Sequence, residues 1–125
     1  MGLLIFKRVV FAAIIVLIAA FDAYAVDPPY QKDLERFATI MGALYHLDDL
    51  CVGSGNNWRD EFAELMDLEE VNDDRRARLT ASFNDGYADF NRLHVRCTPN
   101  ARLAIERFVV EGAAIAKNIH SRFAE

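Results

Sequence analysis

The spacing of apolar residues beyond residue 30 is the feature that most constrains this chain. Leu34, Phe37, Met41 and Leu44 follow one another at intervals of three, four and three residues, which places them on one face of an α-helix. No segment shows the period of two that is typical of a half-buried β-strand. We therefore predict an all-α fold without a sheet.

Polar and glycine-containing segments interrupt this apolar pattern three times and mark the helix boundaries. Asn57, Asn72 or Asp73, and Thr98 are suitable N-cap residues, and Pro99 suits the first position of a helix. The predicted helices cover residues 33–51, 58–69, 74–96 and 99–123. Four amphipathic helices with short connections favour a small antiparallel bundle in which the second helix is short.

The N-terminus has the pattern of a secretory signal peptide. Lys7 and Arg8 precede a thirteen-residue uncharged run at residues 9–21, and the Ala-Tyr-Ala sequence at residues 23–25 is a small-x-small cleavage site. The run is shorter than the roughly 20 residues that a membrane span needs. We predict a cleaved leader at residues 1–25, an extended segment at residues 26–32, a helical domain at residues 33–125 and a periplasmic location. The alternative is an uncleaved anchor in the inner membrane.

Export determines how the two cysteines are interpreted. In an oxidising compartment Cys51 and Cys97, with no third thiol in the chain, most simply form one disulfide. Closing a loop of about 46 residues contributes some 4 kcal/mol in the chain-entropy model, a large share of the about 5–15 kcal/mol typical of a domain. Neither cysteine belongs to a C-x-x-C pair, so we predict a structural bridge.

The charge balance and the motif content exclude several classes of protein. The formal net charge is −5, and removal of the leader with Lys7, Arg8 and Asp22 makes it −6. An acidic domain lacks the basic footprint of a nucleic-acid binder. No nucleophile or phosphate-binding motif is present, and the three histidines are scattered one per predicted helix. We expect no cofactor and no metal.

Charged residues near two predicted helix ends are candidates for recognition. Asp48 and Asp49 lie near a helix C-terminus, and Arg75, Arg76 and Arg78 lie near a helix N-terminus, so both groups oppose the helix dipole. The three guanidinium groups and nearby backbone amides suit a phosphate or carboxylate. Alternatively, these charges form a solvated face, or the arginines pair with the neighbouring acidic side chains, which are Glu69, Glu70 and Asp73.

Three further residues complete a candidate binding surface with these arginines. Trp58 and Arg59 follow the glycine-containing loop, and Asn84 lies beside the apolar stripe of the third predicted helix. Each also has a structural interpretation, since Trp58 suits a core anchor and Asn84 suits a hydrogen bond inside the bundle. Functional and structural interpretations therefore stay open for this surface.

Glycines inside the predicted helices need an explanation, because each costs about 1 kcal/mol relative to alanine. They are Gly42, Gly86 and Gly112. Close crossing of helices is the favoured explanation, and close approach of a ligand to the backbone is the alternative.

Strings distributed over nearly the whole mature chain carry a resemblance to a known family. They are GALYHL at residues 42–47, LC at 50–51, WR at 58–59, RRARL at 75–79, SFNDGY at 82–87, CTP at 97–99, EG at 111–112 and RF at 122–123. In this order they resemble a family of small exported bacterial proteins described only as a domain of unknown function. The resemblance implies an all-helical periplasmic protein that retains both cysteines, and it supplies no catalytic residue.

These observations favour a non-enzymatic helical protein of the periplasm. We expect an adaptor or binding module whose partner is an envelope protein or a cell-wall component, without nucleic acid and without a stable membrane span after cleavage. One alternative is an acid-stress chaperone, since small periplasmic chaperones are also short, exported, helical and linked by a single disulfide. This is an analogy of overall architecture without a shared sequence motif. Another is an enzyme or inhibitor that acts on the cell wall through carboxylates.

Overall fold

The computed structural model describes residues 1–8 and 26–124, and every regular element in these ranges is a helix. A helical segment covers residues 2–8. The predicted leader run at residues 9–21 and the cleavage site at residues 23–25 lie outside the described residues. The all-α prediction is confirmed. The four main helices are α1 at Gln31–Cys51, α2 at Trp58–Leu68, α3 at Asp73–Leu93 and α4 at Pro99–Phe123.

Local capping explains where α2, α3 and α4 begin. The side chains of Asn57, Asn72 and Thr98 each accept a hydrogen bond from the backbone N–H three residues later. Pro99 occupies the first turn of α4, where its missing N–H costs no hydrogen bond. The predicted caps are confirmed, with Asn72 rather than Asp73 serving α3.

Helix α1 lies at the centre of the fold, because α2, α3 and α4 all pack against it. Its buried residues occupy more than one face of the helix, as expected for a helix enclosed by others. The buried apolar residues are Leu34, Ala38, Ile40, Met41, Ala43, Leu44 and Leu47 of α1, Phe62 and Met66 of α2, Leu79 and Phe83 of α3, and Ala101 of α4.

Contacts between side chains show the directions in which the helices run. The contacts are Gln31–Arg75 and His46–His94 between α1 and the α3 segment, Tyr30–Phe123 and Cys51–Cys97 between α1 and the α4 segment, and Phe62–Phe83 and Met66–Thr80 between α2 and α3. Residue numbers rise together in the first pair of helices, so α1 and α3 are parallel. In the other two pairs of helices, the residue numbers rise in one helix as they fall in the other. Therefore α4 is antiparallel to α1, and α2 is antiparallel to α3.

Two glycines bring the backbones of α1 and α3 into direct contact. A Cβ atom added to Gly42 would collide with the backbone carbonyl of Phe83, and one added to Gly86 would collide with the carbonyl of Thr39. The close-crossing explanation is therefore confirmed for this pair. Gly112 differs, because an added Cβ would lie 3.5 Å from the Phe37 ring, an ordinary contact distance.

Alanine substitutions distinguish these glycines. We expect Gly42→Ala and Gly86→Ala each to lower the free energy of unfolding by about 1–3 kcal/mol or more, because backbone atoms must separate to admit the methyl group. Gly112→Ala is the matched control, and helix propensity should make it neutral or stabilising by up to about 1 kcal/mol. Urea unfolding followed by circular dichroism measures all three. Equal effects at the three positions would contradict the crossing.

The disulfide joins the end of α1 to the connection that leads into α4. Cys51 is the last residue of α1, and its Cα lies 5.0 Å from the Cα of Cys97. The predicted bridge is confirmed, but the prediction that the third helix continues to residue 96 is wrong. The α3 helix ends at Leu93, and His94 is extended, so Cys97 reaches Cys51 from a non-helical segment.

Removal of both sulfur atoms should destabilise the fold without changing its helices. We expect the double variant Cys51→Ala/Cys97→Ala to lose about 4 kcal/mol of unfolding free energy, the value for a loop of this length. Urea unfolding of the variant and of the oxidised protein measures the difference. Mass spectrometry of the native protein should show one linked Cys51–Cys97 peptide, and free thiols in that protein would contradict the bridge.

Candidate functional site

Two shallow cavities meet on the side of α1 that faces away from α3. One, of about 320 Å³, lies between α1, α2 and α4, and the other, of about 550 Å³, lies between α1 and α2. Both are lined by Phe37 and Leu65, so they are adjacent, and we call the two together the apolar groove. Its main apolar residues are Tyr30, Leu34, Phe37 and Met41 beneath, Trp58, Leu65 and Leu68 on the α2 side, and Ile119 and Phe123 on the α4 side.

The groove exists because α2 is too short to cover α1. An 11-residue helix is about 16 Å long, whereas the 21 residues of α1 extend about 31 Å. Phe37 and Leu65 are consequently only half-buried, and the Leu68 side chain is 76% exposed. Helical spacing placed Phe37 on the inward face of the first helix, but such spacing does not show whether a neighbouring helix covers all of that face.

Trp58 lies between the core and the groove. The half-buried indole packs against the core cluster of Leu34, Met41 and Phe62 and also lines the groove. Its Nε1 atom is buried and has no hydrogen-bond acceptor among the described residues. A buried donor without an acceptor costs free energy.

Acidic side chains lie along the α2 side of the groove. Glu61 and Glu64 are exposed, and neither forms an ion pair within the described part of the chain. Glu69 differs, because it accepts hydrogen bonds from the Tyr30 hydroxyl at 3.0 Å and from Arg75 at 3.4 Å. The rim of the groove is thus negative at Glu61 and Glu64.

Arg75 serves the fold rather than an open anion site. Its Nε–H donates to the Gln31 side-chain oxygen at 2.7 Å, and its other nitrogen pairs with Glu69. The side chain is 11% exposed. The structure therefore favours pairing of Arg75 with a carboxylate of this chain, and that carboxylate belongs to Glu69.

The other two arginines of the cluster are also engaged by carboxylates of this chain. Arg78 donates to Asp27 at 2.7 Å, and it also contacts Glu35 and Asp74. Arg76 makes a long contact with Asp67 on the surface. Neither Glu70 nor Asp73 pairs with these arginines, so the predicted partners were correct only for Glu69. The predicted phosphate or carboxylate site gains no support from this geometry.

The six predicted surface residues do not form one surface. Trp58 and Arg59 begin α2, and the arginines lie beyond its opposite end, about 16 Å further along. Asn84 is exposed, nine residues and about 13 Å along α3 from Arg75. Of the six, Trp58 alone lines the groove.

Ion pairs connect Asp27 to α3 and α4 to α1, and they shift the pKa values of the carboxyl groups involved. The hydrogen bond from Arg78 lowers the pKa of Asp27 below its ordinary value. The bidentate pair from Arg36, at 2.7 and 3.0 Å, lowers the pKa of Glu111. Burial, together with the hydrogen bond to Glu69, raises the pKa of Tyr30.

These lowered pKa values predict loss of stability in acid. A carboxyl group whose pKa is lower in the folded than in the unfolded state stabilises the fold above its unfolded pKa, and this contribution disappears as the pH falls through the folded pKa. We expect the urea midpoint to fall between about pH 4.5 and pH 2.5. In Arg36→Gln the fall should be shallower, because Glu111 no longer loses a partner. Equal slopes for the variant and the parent would contradict the assignment.

Membrane-spanning and metal-binding features are absent from the described ranges. No helix within residues 1–8 and 26–124 is both long and apolar enough to cross a membrane. In the same ranges, no three or more histidine, cysteine, aspartate or glutamate side chains are grouped as a metal ion would require.

Fold and groove together define a small all-helical domain linked by one disulfide. Residues 29–123 match the model of a family described as a protein of unknown function, DUF2385. The match covers most of the chain, and the protein belongs to this family. No curated protein and no solved structure shows significant similarity to the chain. The resemblance to an uncharacterised family is thus confirmed, and the family adds no activity.

Proposed function

We propose that this protein is a non-enzymatic periplasmic binding module whose apolar groove holds an amphipathic segment of an envelope protein. The observation that supports this proposal is the apolar groove itself, bordered by the carboxylates of Glu61 and Glu64. Removal of exposed apolar surface from water favours an apolar occupant. The negative rim favours lysine or arginine side chains beside the apolar ones, and such charges contribute chiefly to specificity and association rate.

A helical segment suits the shape of the groove. Grooves between helices commonly accept one apolar face of an amphipathic helix, with contacts at every third or fourth residue. The two cavities share Phe37 and Leu65 and extend along α1 from Tyr30 to Met41. The 11 residue steps from Tyr30 to Met41 correspond to about 16 Å of helix, which leaves room for two or three anchoring side chains.

The periplasmic location and the bundle architecture are parts of the same proposal. The leader pattern at residues 1–25 and the disulfide both suit export. We further propose that α1 to α4 form one antiparallel bundle. The opposite directions of α1 and α4, and of α2 and α3, support that arrangement.

Peptide binding tests the groove. Trp58 is the only tryptophan of the chain, so its emission reports on the groove directly. The probe is a 14-residue amphipathic peptide of leucine and lysine. We expect it to change the Trp58 emission and to bind Glu61→Lys/Glu64→Lys about tenfold more weakly, which corresponds to about 0.7 kcal/mol for each rim charge.

The control for this experiment carries the same change of charge elsewhere. Asp85→Lys/Glu106→Lys alters two exposed acids outside the groove and should retain the parent affinity. A leucine and glutamate peptide should bind none of the proteins. Equal weakening in both double variants, or no change in Trp58 emission, would refute the proposal. Turnover of a cell-wall substrate by the purified protein would replace it with the enzyme alternative.

The acid-stress chaperone is the second candidate, and the acid-sensitive ion pairs favour it. Protonation of Asp27 and Glu111 removes the pairs with Arg78 and Arg36. The remaining positive charges then repel one another and loosen the packing. Aggregation of a client protein at pH 2–3, with and without residues 26–125, tests this candidate. Absence of protection would eliminate it.

A further inference from the structure

A second, polar cleft lies at the disulfide end of the fold, next to the apolar groove, with which it shares the lining residue Asn56. Its volume is about 330 Å³. It is lined by Tyr45, His46, Asp48 and Asp49 of α1, by Tyr87 of α3, and by residues of the loop at 53–57. A concave site of this size with a few convergent polar groups is typical of small-ligand binding.

The carboxylates that line this cleft are not balanced by a lysine or arginine side chain. Asp48 and Asp49 lie in the last turn of α1, where the helix dipole is negative, and that turn contains no basic residue. No lysine or arginine lines the cleft. Asp48 accepts a hydrogen bond from the Ser54 hydroxyl at 2.6 Å, a neutral partner that leaves the charge in place. A cation in the cleft would therefore be stabilised by two carboxylates and by the helix end.

Aromatic rings also line this cleft. The ring centroids of Tyr45 and Tyr87 are 5.5 Å apart, and the His46 ring meets Tyr87 edge-on at 5.9 Å. His46 is held by a hydrogen bond from its Nε2–H to the backbone carbonyl of His94 at 2.7 Å. Tyr87 is 37% exposed, which leaves part of its ring accessible.

We propose that this cleft binds an organic ammonium ion, namely the amine end of a polyamine or of a lysine-like side chain. The ammonium group pairs with the carboxylates of Asp48 and Asp49, and the attached methylene groups lie against Tyr87. An aromatic face attracts an ammonium ion through its quadrupole. A hard inorganic cation instead prefers a shell of six or more oxygen ligands. Such an ion also has no methylene groups that could pack against the aromatic rings. The proposal is independent of the occupant of the apolar groove.

Titration of the oxidised mature protein with putrescine, followed by amide NMR spectra, tests this proposal. Shifts should concentrate at Tyr45, Asp49, Tyr87 and residues 53–57. Asp49→Asn should weaken putrescine binding about tenfold, as expected for loss of a charged partner, and Tyr87→Leu about threefold. Asp85→Asn removes the same charge on α3 outside the cleft and should leave the affinity unchanged.

Further ligands identify the source of the amine. Nα-acetyl-lysine amide presents a peptide-borne amine, and binding of this compound but not putrescine would point to a polypeptide or wall peptide. Binding of putrescine alone would point to a free polyamine. The neutral analogue 1,4-butanediol should not bind. Equal binding of the diol or of Mg²⁺, equal weakening in Asp49→Asn and Asp85→Asn, or no shifts with either amine would overturn the proposal.

Discussion

The direct backbone contact of α1 and α3 at Gly42 and Gly86 is the interaction on which the other features depend. Because neither residue has a Cβ atom, the two parallel helices approach until backbone atoms of one meet those of the other. This approach buries Gly42 and Ala43 of α1 against α3. The remaining sides of α1 are then left to α2 and α4, which makes α1 the central helix of the fold.

The apolar groove follows from how that remaining surface is shared. The α4 helix is long and antiparallel to α1, and it is attached at one end by the disulfide and at the middle by the Arg36–Glu111 pair. The α2 helix has 11 residues and covers only part of the other side. Phe37 and Leu65 therefore stay half-buried between them. The groove is a consequence of unequal helix lengths around one central helix.

Opposite ends of the molecule use their charges differently. At the start of α3 the Arg75 guanidinium group is bonded to the Gln31 amide oxygen and to Glu69, and that of Arg78 pairs with Asp27 and Glu35. Positive charge there therefore supports the fold. At the end of α1 the carboxylates of Asp48 and Asp49 line a cleft to which no lysine or arginine contributes. The proposed cation site therefore lies where the carboxylates form no ion pair within the described residues, whereas the guanidinium groups of the arginine cluster are paired.

The sequence by itself determined the helical class, the caps at Asn57 and Thr98, and the pairing of two cysteines. Each of these depends on neighbouring residues or on simple counting. The tertiary structure alone decided that Arg75 bonds Gln31, 44 residues away, that α3 stops at Leu93, and that Phe37 borders an open groove. Those outcomes depend on which helices meet and how completely they cover each other. Helical periodicity identifies an apolar face, but the length and position of the neighbouring helix decide how much of that face is buried.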